Sequence, residues 1–148
     1  EARILAPVVE AMAEAFGREE VMAVLSKTII EIARKQGAEM SEAMGGQDAA
    51  TFVQSLEAWT RGGALELETL RDDAEAVDFN VRRCQYAEMY RDLGIAELGA
   101  VLSCNRDFAM IEGFAPEVSL TRDQTILGGA SQCNFRYKFP GDGGEKGE

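Results

Sequence analysis

The chain has 148 residues, 46% of them apolar and 28% charged, which is enough for one domain with a real core and too few for two. Twenty-six acidic against fifteen basic side chains give a formal charge of −11, a field that repels phosphate backbones and anionic lipid, so neither nucleic acid nor a membrane surface is an expected partner. With no histidine anywhere, Ser-His and Cys-His nucleophile pairs, H-E-x-x-H zinc sites and histidine-ligated haem are excluded, and acid–base chemistry falls to Asp, Glu, Cys, Tyr or Lys.

The first element is predicted in "PVVEAMAEAFG", where Val8, Val9, Met12 and Phe16 recur at helical spacing, Pro7 suits a first turn and Gly17 a stop. Neither it nor any later apolar run approaches the roughly 20 residues that span a bilayer. The start "EARILAPVVEAM" has no initiator Met and lacks the basic region and cleavage site of a secretory signal, so the cytoplasm is the expected compartment. A second helix follows, with a stripe of Val21, Val24, Leu25, Thr28, Ile29 and Ile32 that ends at Gly37. After a short piece at residues 39–44 and the breaker Gly45-Gly46, Asp48 caps a third helix. Its Phe52, Val53, Leu56 and Trp59 face inward, and Gly62-Gly63 ends it.

The period then changes to two. Leu65 and Leu67 alternate with Glu66 and Glu68, and Val77, Phe79 and Val81 with Asp78, Asn80 and Arg82, which predicts a hairpin of half-buried strands joined through "RDDAE". From Tyr86 to about Phe114 the helical pattern returns, broken at Gly94, with Leu98, Val101, Leu102, Phe108, Met110 and Ile111 as core candidates, and Pro116 closes it. "EVSLTRDQTIL" and "CNFRYKF" alternate again around the turn "GGASQ". The order helices, hairpin, helices, hairpin predicts an α+β domain whose N-terminal helices and central helical segment pack on a four-stranded antiparallel sheet.

Chemistry concentrates after residue 80. Cys84, Cys104 and Cys133 are odd in number and lack C-x-x-C spacing, so they read as free thiols rather than a disulfide framework. The motifs are C-x-Y-A-E-x-Y at Cys84 to Tyr90, L-G at Leu93 and Gly94, C-x-x-D at Cys104 to Asp107, a strand arginine at Arg122, and G-x-x-x-C-x-F-x-Y from Gly129 to Tyr137. Together, with "AFGREEVM" upstream, they resemble the bacterial L-2-amino-thiazoline-4-carboxylate hydrolase family over nearly the whole chain. That pattern usually closes with Cys-Asp-Phe, whereas Cys133-Asn134-Phe135 stands here, a departure that bears on substrate specificity. The element order also resembles the ligand-binding fold of nitric-oxide sensors, Golgi transport subunits and 4-vinyl-reductase-like domains.

The family resemblance implies residues 1–139 as a single hydrolase-like domain followed by a flexible tail at 140–148, which has no apolar anchors. It also implies a ring-opening hydrolysis of a cyclic amidine or amide, such as 2-aminothiazoline-4-carboxylate going to N-carbamoyl-cysteine. Such a reaction needs a nucleophile, a proton donor and groups that hold a carboxylate. Cys104 and Asp107 share a face if their helix is continuous; if a break falls at Asn105, the thiol ends one helix and the carboxylate opens the next. Glu88 and Cys133 complete the candidate catalytic set. Arg122, Arg136, Cys84 and Tyr86 are the candidate substrate-binding residues.

Each has a structural reading beside the functional one: buried thiol for the cysteines, first-turn charge for Asp107 and Glu88, outward strand charge for the arginines, aromatic packing for Tyr86. No cofactor is expected, with a metal held by Cys104, Asp107, Cys133 or Glu88 left open. The expected partner is a small-molecule substrate, and self-association is left open. Two rival functions remain: a non-enzymatic small-molecule-binding or sensing domain of the 4-vinyl-reductase-like type, and a redox- or metal-responsive thiol protein.

Overall fold

The computed structural model describes residues 2–140, apart from the side chains of Ala2, Trp59 and Ser103; the Trp59 side chain, expected to face inward, and the tail beyond 140 lie outside the described residues. The helices α1 (Ala2–Phe16), α2 (Arg18–Met44) and α3 (Ala49–Thr60) lead into a hairpin of β1 (Leu65–Asp72) and β2 (Ala76–Cys84). Then come α4 (Gln85–Asp92), α5 (Ala96–Gly99), a wide π turn (Ala100–Cys104), α6 (Arg106–Phe114), β3 (Ser119–Thr121) and β4 (Cys133–Lys138). All strand pairs are antiparallel and the order across the sheet is β1-β2-β4-β3, an α+β arrangement as expected.

The two-residue period decides which face of the sheet is buried. Val77, Phe79 and Val81 of β2 and Cys133, Phe135 and Tyr137 of β4 point to the helices, register with one another, and join Phe52, Leu56, Ile111 and Phe114 in the main core. Phe79 stacks on Phe135 at 5.0 Å between ring centroids, and Phe52 meets Tyr137 at 4.5 Å. Each such side chain contributes about 1.5–3 kcal/mol by leaving water. A second cluster of Ala6, Val9, Val21 and Leu98 ties α1 to α2 and α5.

Two expectations about the helices are corrected. Gly37 does not end α2, which continues to Met44 and stops at Gly45 in the left-handed conformation (φ 76°). Gly37 is buried where α2 crosses α6, and a Cβ there would lie 2.1 Å from the Met110 carbonyl oxygen; on the other side, a Cβ at Gly113 would lie 1.9 Å from that of Arg34. These glycines let two backbones touch. In α1, the helix begins at Ala2, so Pro7 falls inside it, and the small residues Ala6, Val9 and Ala13 face inward. Val8, Met12 and Phe16 remain exposed, because α1 packs against α2 along the narrow side of its stripe.

Capping accounts for two boundaries that position the site. Asp48 accepts from the Thr51 N–H at 2.8 Å and starts α3. Cys84 ends β2 and caps α4 through its own Sγ, which accepts from the Ala87 N–H at 3.3 Å. The last predicted strand pair is shorter than its alternation suggests: β3 is only three residues, and Arg122 lies one residue past it.

Candidate functional site

Between the sheet and the helices α1, α2 and α6 lies a cavity of about 850 Å³. Val81 and Cys84 of β2, Cys133 and Phe135 of β4, Cys104 at the end of the π turn, Asp107 and Met110 of α6, and Arg122 reach its wall. Three cysteines from three elements therefore face one space, together with Tyr86 and Tyr90. All three are free thiols.

The π turn decides what α6 offers. The Asn105 N–H donates to the Ala100 carbonyl at 2.8 Å, an i to i+5 bond that widens the helix by one residue. Of the two geometries the sequence left open, the broken one is adopted: Cys104 closes the turn and Asp107 sits in the first turn of α6. Arg122 joins them, its Nη1 donating to Asp107 Oδ2 at 2.5 Å and to the Cys104 carbonyl at 3.0 Å. The guanidinium lies between two rings, its central carbon 5.0 Å from the centroid of Phe108 and 5.4 Å from that of Phe135. Its side chain is 7% exposed and that of Asp107 is 20% exposed. The buried Arg122 Nε has no hydrogen-bond partner among the described residues.

Burial sets the protonation states. It pushes the Asp107 carboxyl up to about 7, even though Arg122 pulls the other way through charge and hydrogen bond. It pushes the Cys104 thiol up to about 12, with the neighbouring Asp107 adding to the rise, so Cys104 rests as a neutral thiol. Cys84 and Cys133 are also raised by burial, partly offset by the N–H groups of Ala87 and Ile126 on their sulfurs. The Ile126 N–H lies 3.2 Å from Cys133 Sγ.

Two candidates stand elsewhere. Glu88 does not reach the cavity wall: it lies in the first turn of α4, half exposed, clasped by Arg83 through Nε at 2.9 Å and Nη2 at 3.2 Å. Arg136 alternates with Phe135 and Tyr137 and so projects from the opposite face of the sheet, donating to Asn80 Oδ1 at 2.9 Å and the Phe79 carbonyl at 3.0 Å. Neither reaches the cavity wall, and both are held by these contacts. Among the described residues, no three His, Cys, Asp or Glu side chains gather to share a metal ion.

Asn134, at the position of the departure from the usual motif, fastens the loop behind Arg122. Its Oδ1 accepts from the N–H groups of Asp123 at 3.1 Å and Gln124 at 2.8 Å, while its Nδ2 donates to Asp123 Oδ1 at 2.6 Å. This clamp ties the two residues that follow Arg122 to the start of β4. Arg106 and Gln36 line the cavity without having been singled out from the sequence, and Tyr90 reaches it from the close of the first motif. At a helix start Arg106 reads as a solvated charge, and only the fold brings it to the wall. Tyr90 is held by Gly99, where a Cβ would come within 2.5 Å of its ring.

The model of the L-2-amino-thiazoline-4-carboxylic acid hydrolase family matches residues 1–137. The chain belongs to that family. The match takes in every cavity residue named above. No curated protein matches the chain. Among solved structures, the phenol-responsive sensory domain of the transcription activator PoxR with phenol is similar in fold, with a TM-score of 0.59 and 11% identity over 98% of this chain and 78% of that one.

Proposed function

We propose that this member of the amino-thiazoline-carboxylate hydrolase family opens a cyclic amidine or amide ring, with 2-aminothiazoline-4-carboxylate as the leading substrate. The observation that carries the reading is Asp107, a cavity-wall carboxyl balanced near neutral pH by burial against Arg122. Ionised, it takes a proton from water as the oxygen bonds to the amidine carbon, and passes that proton to the ring nitrogen, which gains the electron pair of the C=N bond. The carbon–sulfur bond then breaks as the remaining hydroxyl proton moves through Asp107 to the departing sulfur and the carbon–oxygen double bond forms, leaving N-carbamoyl-cysteine with a free thiol. Water is favoured over Cys104 as nucleophile, because a thiol held at about 12 supplies almost no thiolate near neutral pH.

The test is release of free thiol from 2-aminothiazoline-4-carboxylate. Asp107→Asn is expected to lower kcat by about 10²–10⁴-fold, the usual worth of a positioned acid–base group, while Cys104→Ser retains turnover. Loss of turnover in Cys104→Ser with Asp107→Asn still active would transfer the chemistry to the thiol. No turnover by the unaltered chain would remove the hydrolase reading.

A second reading, a small-molecule-binding or sensing domain, is favoured by the apolar part of the wall, which includes Ile4, Leu5, Val8, Ile29 and Leu102. Tight binding of phenol or a similar apolar molecule, with no thiol released from any cyclic amidine, would establish it instead.

A further inference from the structure

The formal charges on the cavity wall do not balance. Asp107 carries the one carboxylate, and Arg122 and Arg106 carry two guanidinium groups. With Asp107 ionised the wall therefore keeps one surplus positive charge, inside a protein whose formal charge is −11. The two arginines differ in how much of that charge is free. Arg122 is committed to Asp107 and the Cys104 carbonyl, its guanidinium lies against the rings of Phe108 and Phe135, and its side chain is 7% exposed. Arg106 is half-buried and makes no salt bridge among the described residues. Its Nη2 donates to Gln36 Oε1 at 2.7 Å, a neutral acceptor that also lines the cavity.

That hydrogen bond is solvent-exposed and its acceptor is neutral, so a ligand carboxylate can reach the guanidinium and hold it with a fork of charge-assisted hydrogen bonds. Arg106 is also the first residue of α6, where Asn105 provides no side-chain cap, so the helix end adds favourable potential for an anion. It adjoins Asp107 in the same turn.

We propose that Arg106 is the anchor for the anionic group of the ligand, a small heterocyclic carboxylate, and that Arg122 is a positioning residue which fixes Asp107 and the end of the π turn. The identity of the heterocycle rests on the hydrolase reading; the anion site does not. It assigns specificity to one of the two unspecified positions of the C-x-x-D motif. The same wall includes Ile32 and Met110, apolar surface that suits the ring portion of such a ligand.

The experiment is calorimetric binding of thiazole-4-carboxylate, which cannot be ring-opened in this way, and of thiazole, which lacks the carboxylate. The unaltered chain is expected to bind the carboxylate, and Arg106→Gln to weaken it about 10–100-fold, the range for losing a charged hydrogen-bond partner. Arg106→Lys is expected to fall between, and thiazole to bind all three alike. Unchanged carboxylate affinity in Arg106→Gln, equal weakening of both ligands, or no carboxylate binding by the unaltered chain would overturn the assignment. Far-UV circular dichroism and thermal melting of Arg106→Gln distinguish a lost anchor from a lost fold, and Arg106→Lys tests the charge in a chain that keeps the long side chain. Because no turnover is involved, an Arg106-dependent carboxylate site in a chain that releases no thiol would leave the anion site standing and remove only the hydrolase reading.

Discussion

The carboxyl of Asp107 is drawn in opposite directions by a buried wall and by the Arg122 guanidinium, and its rise to about 7 means that burial prevails. Two outcomes follow from one sign. As base, Asp107 works ionised, so kcat/KM is expected to climb with pH and level off above about 7; a flat profile would remove it from the chemistry. As a folded-state group whose pKa lies above its ordinary value of 3.8, it favours folding most below that value, and the contribution is lost as pH rises to about 7. Denaturant titrations across this window should show stability falling by up to about 1.4 kcal/mol per pH unit from this residue, and Asp107→Asn should flatten the slope. Asn134 is testable at the same scale. Asn134→Asp keeps an acceptor for the two N–H groups but sets a second carboxylate against Asp123, at the 2.6 Å contact, and should cost about 1 kcal/mol. Adding Asp123→Asn should recover that loss; if it does not, the clamp acts through something other than charge.

At the scale of elements, the crossing of α2 and α6 is the joint on which the site hangs, since α6 carries both Arg106 and Asp107. Gly113→Ala pushes a methyl into the Arg34 carbonyl and is expected to cost at least about 1–3 kcal/mol, measured by urea unfolding, with activity falling alongside. This joint was hidden in the sequence, where Gly37 reads as a stop signal; a glycine that ends a helix and one that admits a neighbouring backbone are the same letter. The strands were legible because a two-residue period survives folding unchanged, as Val77, Phe79 and Val81 show. Residues governed by their own helix cap, Asp48 among them, were legible for the same local reason. The placement of Glu88 and Arg136 was not, since a first-turn carboxylate and a strand arginine have the same local pattern whether they face a cavity or an ion-pair partner. The convergence of Cys84, Cys104 and Cys133 needed the whole topology, because no spacing in the chain encodes it.

Across the whole molecule, a surplus positive charge on the cavity wall is embedded in a strongly negative protein. The long-range field opposes an approaching carboxylate, while the local guanidinium holds it on arrival. Salt screens the first more than the second, because the Debye length is about 10 Å at 0.1 M and the anchoring contact is much shorter. The association rate of thiazole-4-carboxylate is therefore expected to rise as ionic strength increases from about 0.01 to 0.1 M, followed by stopped-flow fluorescence. A falling rate would mean that the local cation dominates even at a distance.

The π turn at Ala100–Cys104 makes the site sensitive to chain length rather than to side-chain identity. Its i to i+5 bond accommodates one residue more than an α-helix would. Deleting a single residue there would close an ordinary α turn and leave the flanking segments in about the same relative orientation, since the wide turn only absorbs the extra residue. What would change is the turn itself: Leu102 and Cys104, which it presents to the cavity, would be re-aimed while Arg106, Asp107 and the glycine joint stayed in place. A change of length in this stretch therefore acts on the cavity wall through Leu102 and Cys104 and not through the packing of α6.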